Sequence, residues 1–111
     1  MEIATEHLES IAVVRITGRF YSSDAQAVED GLAAALGGGA PHLALDMTEL
    51  DYISSAGLRV FLKLAKQIQR RKGKMVLFGL RSNVREVFSI SAFDRIFSIH
   101  KDRAAAVAAI R

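Results

Sequence analysis

Two adjacent hydroxyls, Ser54 and Ser55, are the residues of this chain best placed to do chemistry. They stand where a short polar turn meets a long amphipathic segment. Beyond them Leu58, Phe61, Leu62, Ala65 and Ile68 recur at helical spacing and define a buried stripe. Both serines therefore fall at or near a helix N-cap, where a side-chain oxygen satisfies free backbone N–H groups. The same place suits an added phosphate, because unpaired N–H groups and the positive end of the helix dipole favour negative charge. Gly57 keeps the first turn free of bulk. A serine nucleophile is disfavoured by the neighbours. Ile53 stands where the first glycine of a G-x-S-x-G elbow belongs, and Ser55 has Leu58 rather than Lys three residues on.

The other reactive residue types form no constellation. Asp46, Glu49 and Asp51 match no calcium loop, and Asp46 is expected to hydrogen-bond the polar turn at Thr48–Glu49. His7, His42 and His100 are scattered singly, so neither a metal nor a cofactor is expected. There is no cysteine, which excludes disulfides, thiolate metal sites and Cys nucleophiles. Gly37 to Gly39 follow a helix and precede no Lys-Ser/Thr pair, so they read as a helix stop, not a phosphate loop. The basic run Arg70-Arg71-Lys72-Gly73-Lys74 has no interleaved base-readers. It reads as a helix end stopped by Gly73, and no direct nucleic-acid binding is expected.

The elements that must position Ser54 and Ser55 follow from the pattern of apolar residues. Met1 to Leu8 supplies a weak strand that turns near Glu9–Ser10 into a buried strand over Ile11 to Ile16, closed by Gly18. Ser22 or Ser23 caps a first helix whose apolar face is Ala27, Val28, Gly31, Leu32, Ala35 and Leu36. A third strand runs from His42 to Asp46. The second helix, the longest element, spans about Ser55 to Lys72, and Lys74 to Phe78 is the fourth strand. Ser82 caps a short third helix with Val84, Val87 and Phe88 inward. Ile96 to Ile99 is a fifth strand, and Asp102 caps a closing helix along Ala104 to Ile110. The order ββαβαβαβα predicts a single α/β domain over residues 1–111, with a mostly parallel sheet of about five strands and about four helices.

At 111 residues the chain is long enough for one core but not for two. Its 50% hydrophobic and 24% charged composition is that of an ordinary globular domain, and the formal charge is +3. No apolar run reaches the roughly 20 residues of a membrane span, so no membrane insertion is expected. The N-terminal residues give no secretory pattern, which makes the cytoplasm the expected compartment.

The stretch from Asp46 to Leu58, DMTELDYISSAGL, leads into the longest helix, and TGRFYSSDA (Thr17 to Ala25) precedes the first. Together with the element order they resemble the STAS domain of bacterial anti-sigma factor antagonists, over essentially the whole chain. The resemblance implies a protein that binds an anti-sigma factor which is also a serine kinase. The kinase would then phosphorylate a serine at the start of the second helix, and a PP2C-type phosphatase would reverse it. The commonest family form is D-S-[ST]-G-L. Aligned on Gly57-Leu58, this chain has Ser54 for the Asp and Ala56 for the second hydroxyl, so the implied phosphoacceptor is Ser55, with Ser54 as the alternative. Asp46 matches the family's acidic residue at the end of the third strand. The implied contact surface comprises the turn from Asp46 to Ser54 and Ser55, the start of the second helix with Ala56, Gly57, Arg59 and Lys63, and Tyr21 to Asp24 nearby, and the resemblance allows a weak homodimer. An alternative drawn from the same resemblance is a constitutive scaffold, or a subunit of a lipid ABC transport system, in which Ser55 is never modified.

Overall fold

A computed structural model describes all residues, 1–111. β1 (Glu2–Leu8) and β2 (Ile11–Phe20) form an antiparallel hairpin, turned at Glu9 with φ 54°. The chain then makes a 3-10 turn at Ser22–Asp24 and enters α1 (Ala25–Leu36). β3 (His42–Asp46) is followed by β4 (Leu50–Ile53) and by α2 (Ser55–Arg70). β5 (Met75–Phe78), α3 (Ser82–Ile90), a 3-10 turn at Phe93–Arg95, β6 (Ser98–His100) and α4 (Arg103–Ile110) complete the fold. The sheet order is β1-β2-β3-β5-β6, and every pairing except β1 with β2 is parallel.

The sheet has six strands, one more than the five expected. β4 occupies the segment read as a polar turn; with Asp51 and Tyr52 exposed between buried Leu50 and Ile53, it is too short to show an alternation. β2 pairs with β3 along Ile11 to Arg15 and then with β4 along Gly18 to Phe20, so β3 and β4 share one slot beside it. Gly18, with φ 114°, therefore does not close β2; it marks the irregularity where one partner strand gives way to the next.

The larger hydrophobic core lies between one sheet face and α1, α2 and α3, and includes Val14, Ile16, Phe20, Leu32, Leu45, Phe61 and Phe88. A smaller core on the other face joins Ile11, Val13, Ala44, Val76 and Phe78 to Ala106 and Ile110 of α4. In α2 the fully buried stripe is Leu58, Val60, Phe61, Leu64 and Ile68; Leu62 and Ala65, expected inside, are half-buried flanks. On α1 the buried positions are Val28, Leu32, Ala35 and Leu36, while Ala27 is exposed.

The helix ends also differ in detail from the expectation. Neither Ser22 nor Ser23 caps α1: both lie in the 3-10 turn, and Asp24 is the N-cap. Ser82 is the first residue of α3, after Arg81 at the cap. Asp102 does cap α4, its carboxylate accepting from the Ala105 N–H at 2.9 Å. The fifth strand expected over Ile96 to Ile99 lies at Ser98–His100, and Ile96 is exposed. α2 ends at Arg70, in a Schellman pattern: Gly73 N–H donates to the Ile68 carbonyl and Lys72 N–H to that of Gln69, both at 2.9 Å. The left-handed residue is Lys72, φ 62°, not Gly73. Gly73 is required for a different reason, since a Cβ there would sit 1.9 Å from the Pro41 carbonyl oxygen.

Candidate functional site

The start of α2 is placed by the end of β2. The β2–β4 register runs Gly18 to Leu50 and then Arg19 to Tyr52, which leaves Asp51 as the extra residue. After the shift Phe20 pairs with Ile53, and the Phe20 carbonyl accepts the Ser54 N–H at 2.9 Å. The chain is thus held to the sheet up to the residue that caps the helix.

Ser54 is that N-cap. Its backbone is extended (φ −84°, ψ 166°), and its Oγ accepts from the Gly57 N–H at 3.2 Å. The first intrahelical bond runs from Leu58 N–H to the Ser54 carbonyl at 3.1 Å. Ser55 is the first helical residue and is exposed. The two neighbouring hydroxyls are therefore not equivalent: one is spent on the cap, and the other faces water at the positive end of a sixteen-residue helix. Ala56 is half-buried. Gly57 is buried because the helix starts hard against the sheet, where a Cβ would meet Ile53 Cγ1 at 2.9 Å and the Phe20 ring at 3.1 Å.

The other residues expected at the site divide between two faces. Arg59 and Lys63 are exposed on α2, one and two turns beyond Ser55, and Lys63 pairs with Glu29 of α1 at 3.1 Å. Asp24 is engaged locally, its carboxylate accepting the Tyr21 N–H at 3.0 Å. Asp46 is not brought to this surface. Along β3, Leu43 and Leu45 enter the larger core and Ala44 the smaller one, so Asp46 points with Ala44 to the α4 side of the sheet. There Asp46 is 5% exposed. Its Oδ1 accepts from the Thr48 N–H at 3.0 Å and the Thr48 hydroxyl at 2.6 Å, and its Oδ2 accepts from Arg15 Nε at 3.1 Å. Burial pushes the Asp46 carboxyl up, but the hydrogen bonds from Thr48 and the Arg15 guanidinium outweigh it and hold the group below its ordinary value. The expected bond from Asp46 to the Thr48 turn is present, and it fixes the loop that leads toward Ser54.

Two sets of contacts at the site join residues about thirty apart in the chain, and of these residues Arg81 and Asn83 carried no signal in the sequence. Arg81, at the α3 cap, donates to the Thr48 carbonyl at 2.9 Å, pairs with Asp51, and approaches Glu49 at 3.4 Å. Asn83 donates to the Asp51 carbonyl, so the extra residue of the bulge is held by its backbone through Asn83 and by its carboxylate through Arg81. Tyr52, on β4, stacks against Tyr21 with ring centroids 5.5 Å apart.

Comparison with known proteins places this geometry. The STAS domain family matches residues 2–106. BtrV of Bordetella bronchiseptica, described by name as an anti-sigma factor antagonist, is 40% identical over all of this chain and 96% of its own. A Thermotoga maritima structure described in the same terms superposes with a TM-score of 0.88 at 19% identity, covering 98% of this chain and 94% of that one. SpoIIAA, a Bacillus cell fate determinant, has been solved in a phosphorylated form. That structure aligns with a TM-score of 0.73 at 17% identity, over 99% of this chain and 100% of its own. No helix is long and apolar enough to cross a membrane. The chain belongs to the STAS domain family, in its anti-sigma factor antagonist group.

Proposed function

We propose that this protein is a phosphorylation-controlled ligand of an anti-sigma factor that is also a serine kinase, and that Ser55 is the residue the kinase modifies. The observation that carries this reading is the division of labour at the start of α2. Ser54 holds the cap through its hydroxyl, while Ser55, one residue on, is exposed. The protein acts as substrate and ligand rather than as an enzyme, and a PP2C-type phosphatase restores the unmodified form. The binding surface is the start of α2 with Ser54, Ser55, Ala56, Arg59 and Lys63, together with Asp24; Asp46 contributes by holding the Thr48 turn.

The switch follows from charge. A phosphate adds roughly −1.5 to −2 charges at pH 7. At a free helix N-terminus that charge is favourable, whereas in a closed interface without compensating cations it must be desolvated at considerable cost. The modified protein stays folded and its complex fails.

Isothermal titration of the wild type, Ser55→Ala and Ser55→Asp against the cognate anti-sigma kinase tests the reading. Ser55→Ala is expected to bind like the wild type and Ser55→Asp at least about tenfold more weakly, on the order of 1.4 kcal/mol. Equal affinities for all three would remove the switch. Incubation with kinase and ATP, followed by fragmentation of the Leu50–Arg59 region, assigns the residue. Phosphate on Ser55, retained in Ser54→Ala and lost in Ser55→Ala, is the expected pattern, and phosphate mainly on Ser54 would shift the acceptor by one.

A further inference from the structure

Two large aromatic side chains lie exposed next to the α2 start. Tyr21 is 47% and Tyr52 43% exposed, yet neither is loose. Their rings meet at 5.5 Å with a 41° tilt. Tyr21 is fixed at its backbone, since its N–H donates to the Asp24 carboxylate and its carbonyl accepts the Asp24 N–H, both at 3.0 Å. Its hydroxyl accepts from Arg19 at 3.3 Å. Tyr52 stands opposite Arg19 in the β2–β4 register, two residues before the Ser54 cap. All three are therefore tied to the same strand end that positions Ser55.

We infer that Tyr21 and Tyr52, with Arg19 beside them, form a preformed aromatic anchor that docks an apolar side chain flanked by a carboxylate on the anti-sigma partner. The inference rests on the reading of that partner given above and assigns the side chains within its contact surface that anchor it. Aromatic and arginine side chains that are already ordered lose little entropy on binding, and for that reason they dominate the energy of protein interfaces. The charge argument identifies the occupant. Asp51 and Glu49, the carboxylates on β4 and its turn, form their ion pairs with Arg81; the Asp51 charge also acts on Arg19, but the side-chain hydrogen bond of Arg19 goes to the Tyr21 phenol. The guanidinium keeps its remaining donors for an acid supplied from outside. The exposed Ile90 and Ile96 lack any such flanking cation–phenol pair and serve as a comparison.

The anchor and the switch make separable contributions. Tyr21 and Tyr52 would hold the partner whatever the state of Ser55, and the phosphate would then work against that hold. Titration of Tyr21→Ala, Tyr52→Ala, Tyr52→Phe, Arg19→Glu and Ile96→Ala against the purified anti-sigma kinase of the same genome, with a melting curve for each, tests this. The two alanine variants and Arg19→Glu are expected to weaken binding at least about tenfold. Tyr52→Phe and Ile96→Ala should stay within about twofold of the wild type, and all should melt within a few degrees of it. Folded Tyr21→Ala and Tyr52→Ala proteins with wild-type affinity would overturn the anchor. Ser55→Asp in the same series separates the two ideas. If it alone loses binding, the anchor fails and the switch stands; if only the tyrosine variants lose binding, the switch fails and the anchor stands. A wild-type protein that does not bind overturns both.

Discussion

Asp46 shows how a residue can serve a site it does not face. It lies on the α4 side of the sheet, buried, and gathers two hydrogen bonds from Thr48 and one from Arg15. Its lowered pKa gives a pH dependence whose sign is fixed. A carboxyl that ionises more readily in the folded state stabilises the protein above its ordinary value of 3.8, and that stability is lost as the pH falls below it toward the folded value. Asp46→Asn should therefore flatten the acid limb of a stability–pH curve measured by urea unfolding between pH 7 and pH 3. A limb as steep as the wild type's would assign it to other carboxylates. Asp46→Ala, which leaves the Thr48 N–H and hydroxyl without their acceptor, should cost about 2 kcal/mol at pH 7. Ser54→Ala should cost about 1 kcal/mol through the lost cap. Ser55→Ala should be close to neutral, because Ser55 is exposed. A thermal melt of the two serine variants distinguishes cap from free hydroxyl without any partner present.

At the scale of elements, α2 is defined by its two ends, and each makes a prediction. Its C-terminus places Lys72 in the left-handed region, which a glycine adopts without strain, so Lys72→Gly should stabilise by about 0.5–1 kcal/mol. Gly73→Ala should destabilise by several times that, since its methyl would fall on the Pro41 carbonyl. The two adjacent substitutions thus have opposite signs, and denaturant midpoints check them directly. Swapping the two signs would mean that the helix ends one residue later. The sequence pattern located all four helices and most of the strands because their buried faces repeat every three to four or every two residues. It missed β4, whose four residues show no repeat, and it ended β2 at a glycine that is instead the site of a register shift. The serines at the helix start were legible from local cap chemistry. Arg81 and Asn83 were not, because their partners Thr48 and Asp51 lie about thirty residues away and only the folded sheet brings them together. Asp46 was legible as a turn former, but its side of the sheet could be read only from the alternation along β3 seen in place.

For the whole molecule the question is what a doubly charged group does to a fold of this size. The larger core lies beneath α1, α2 and α3, and its buried aromatics Phe20 and Phe61 pack edge to face at 5.7 Å. Ser55 stands outside that core, at the end of the helix where the dipole is positive. Its phosphate would displace water and no packed side chain. Phosphorylation by the cognate kinase should accordingly leave the far-ultraviolet spectrum unchanged and move the melting temperature by only a few degrees, which for a domain of about a hundred residues corresponds to under about 1 kcal/mol. Favourable placement at the helix end predicts that any shift is upward at low salt, and that it shrinks as salt screens the dipole. Calorimetry of the modified and unmodified proteins at two ionic strengths measures both quantities. A fall of ten degrees or more would mean that the phosphate disrupts the packing of Gly57 against Phe20 and Ile53. The modification would then act by unfolding the binding surface, and desolvation of the phosphate at an intact interface would not be its mechanism.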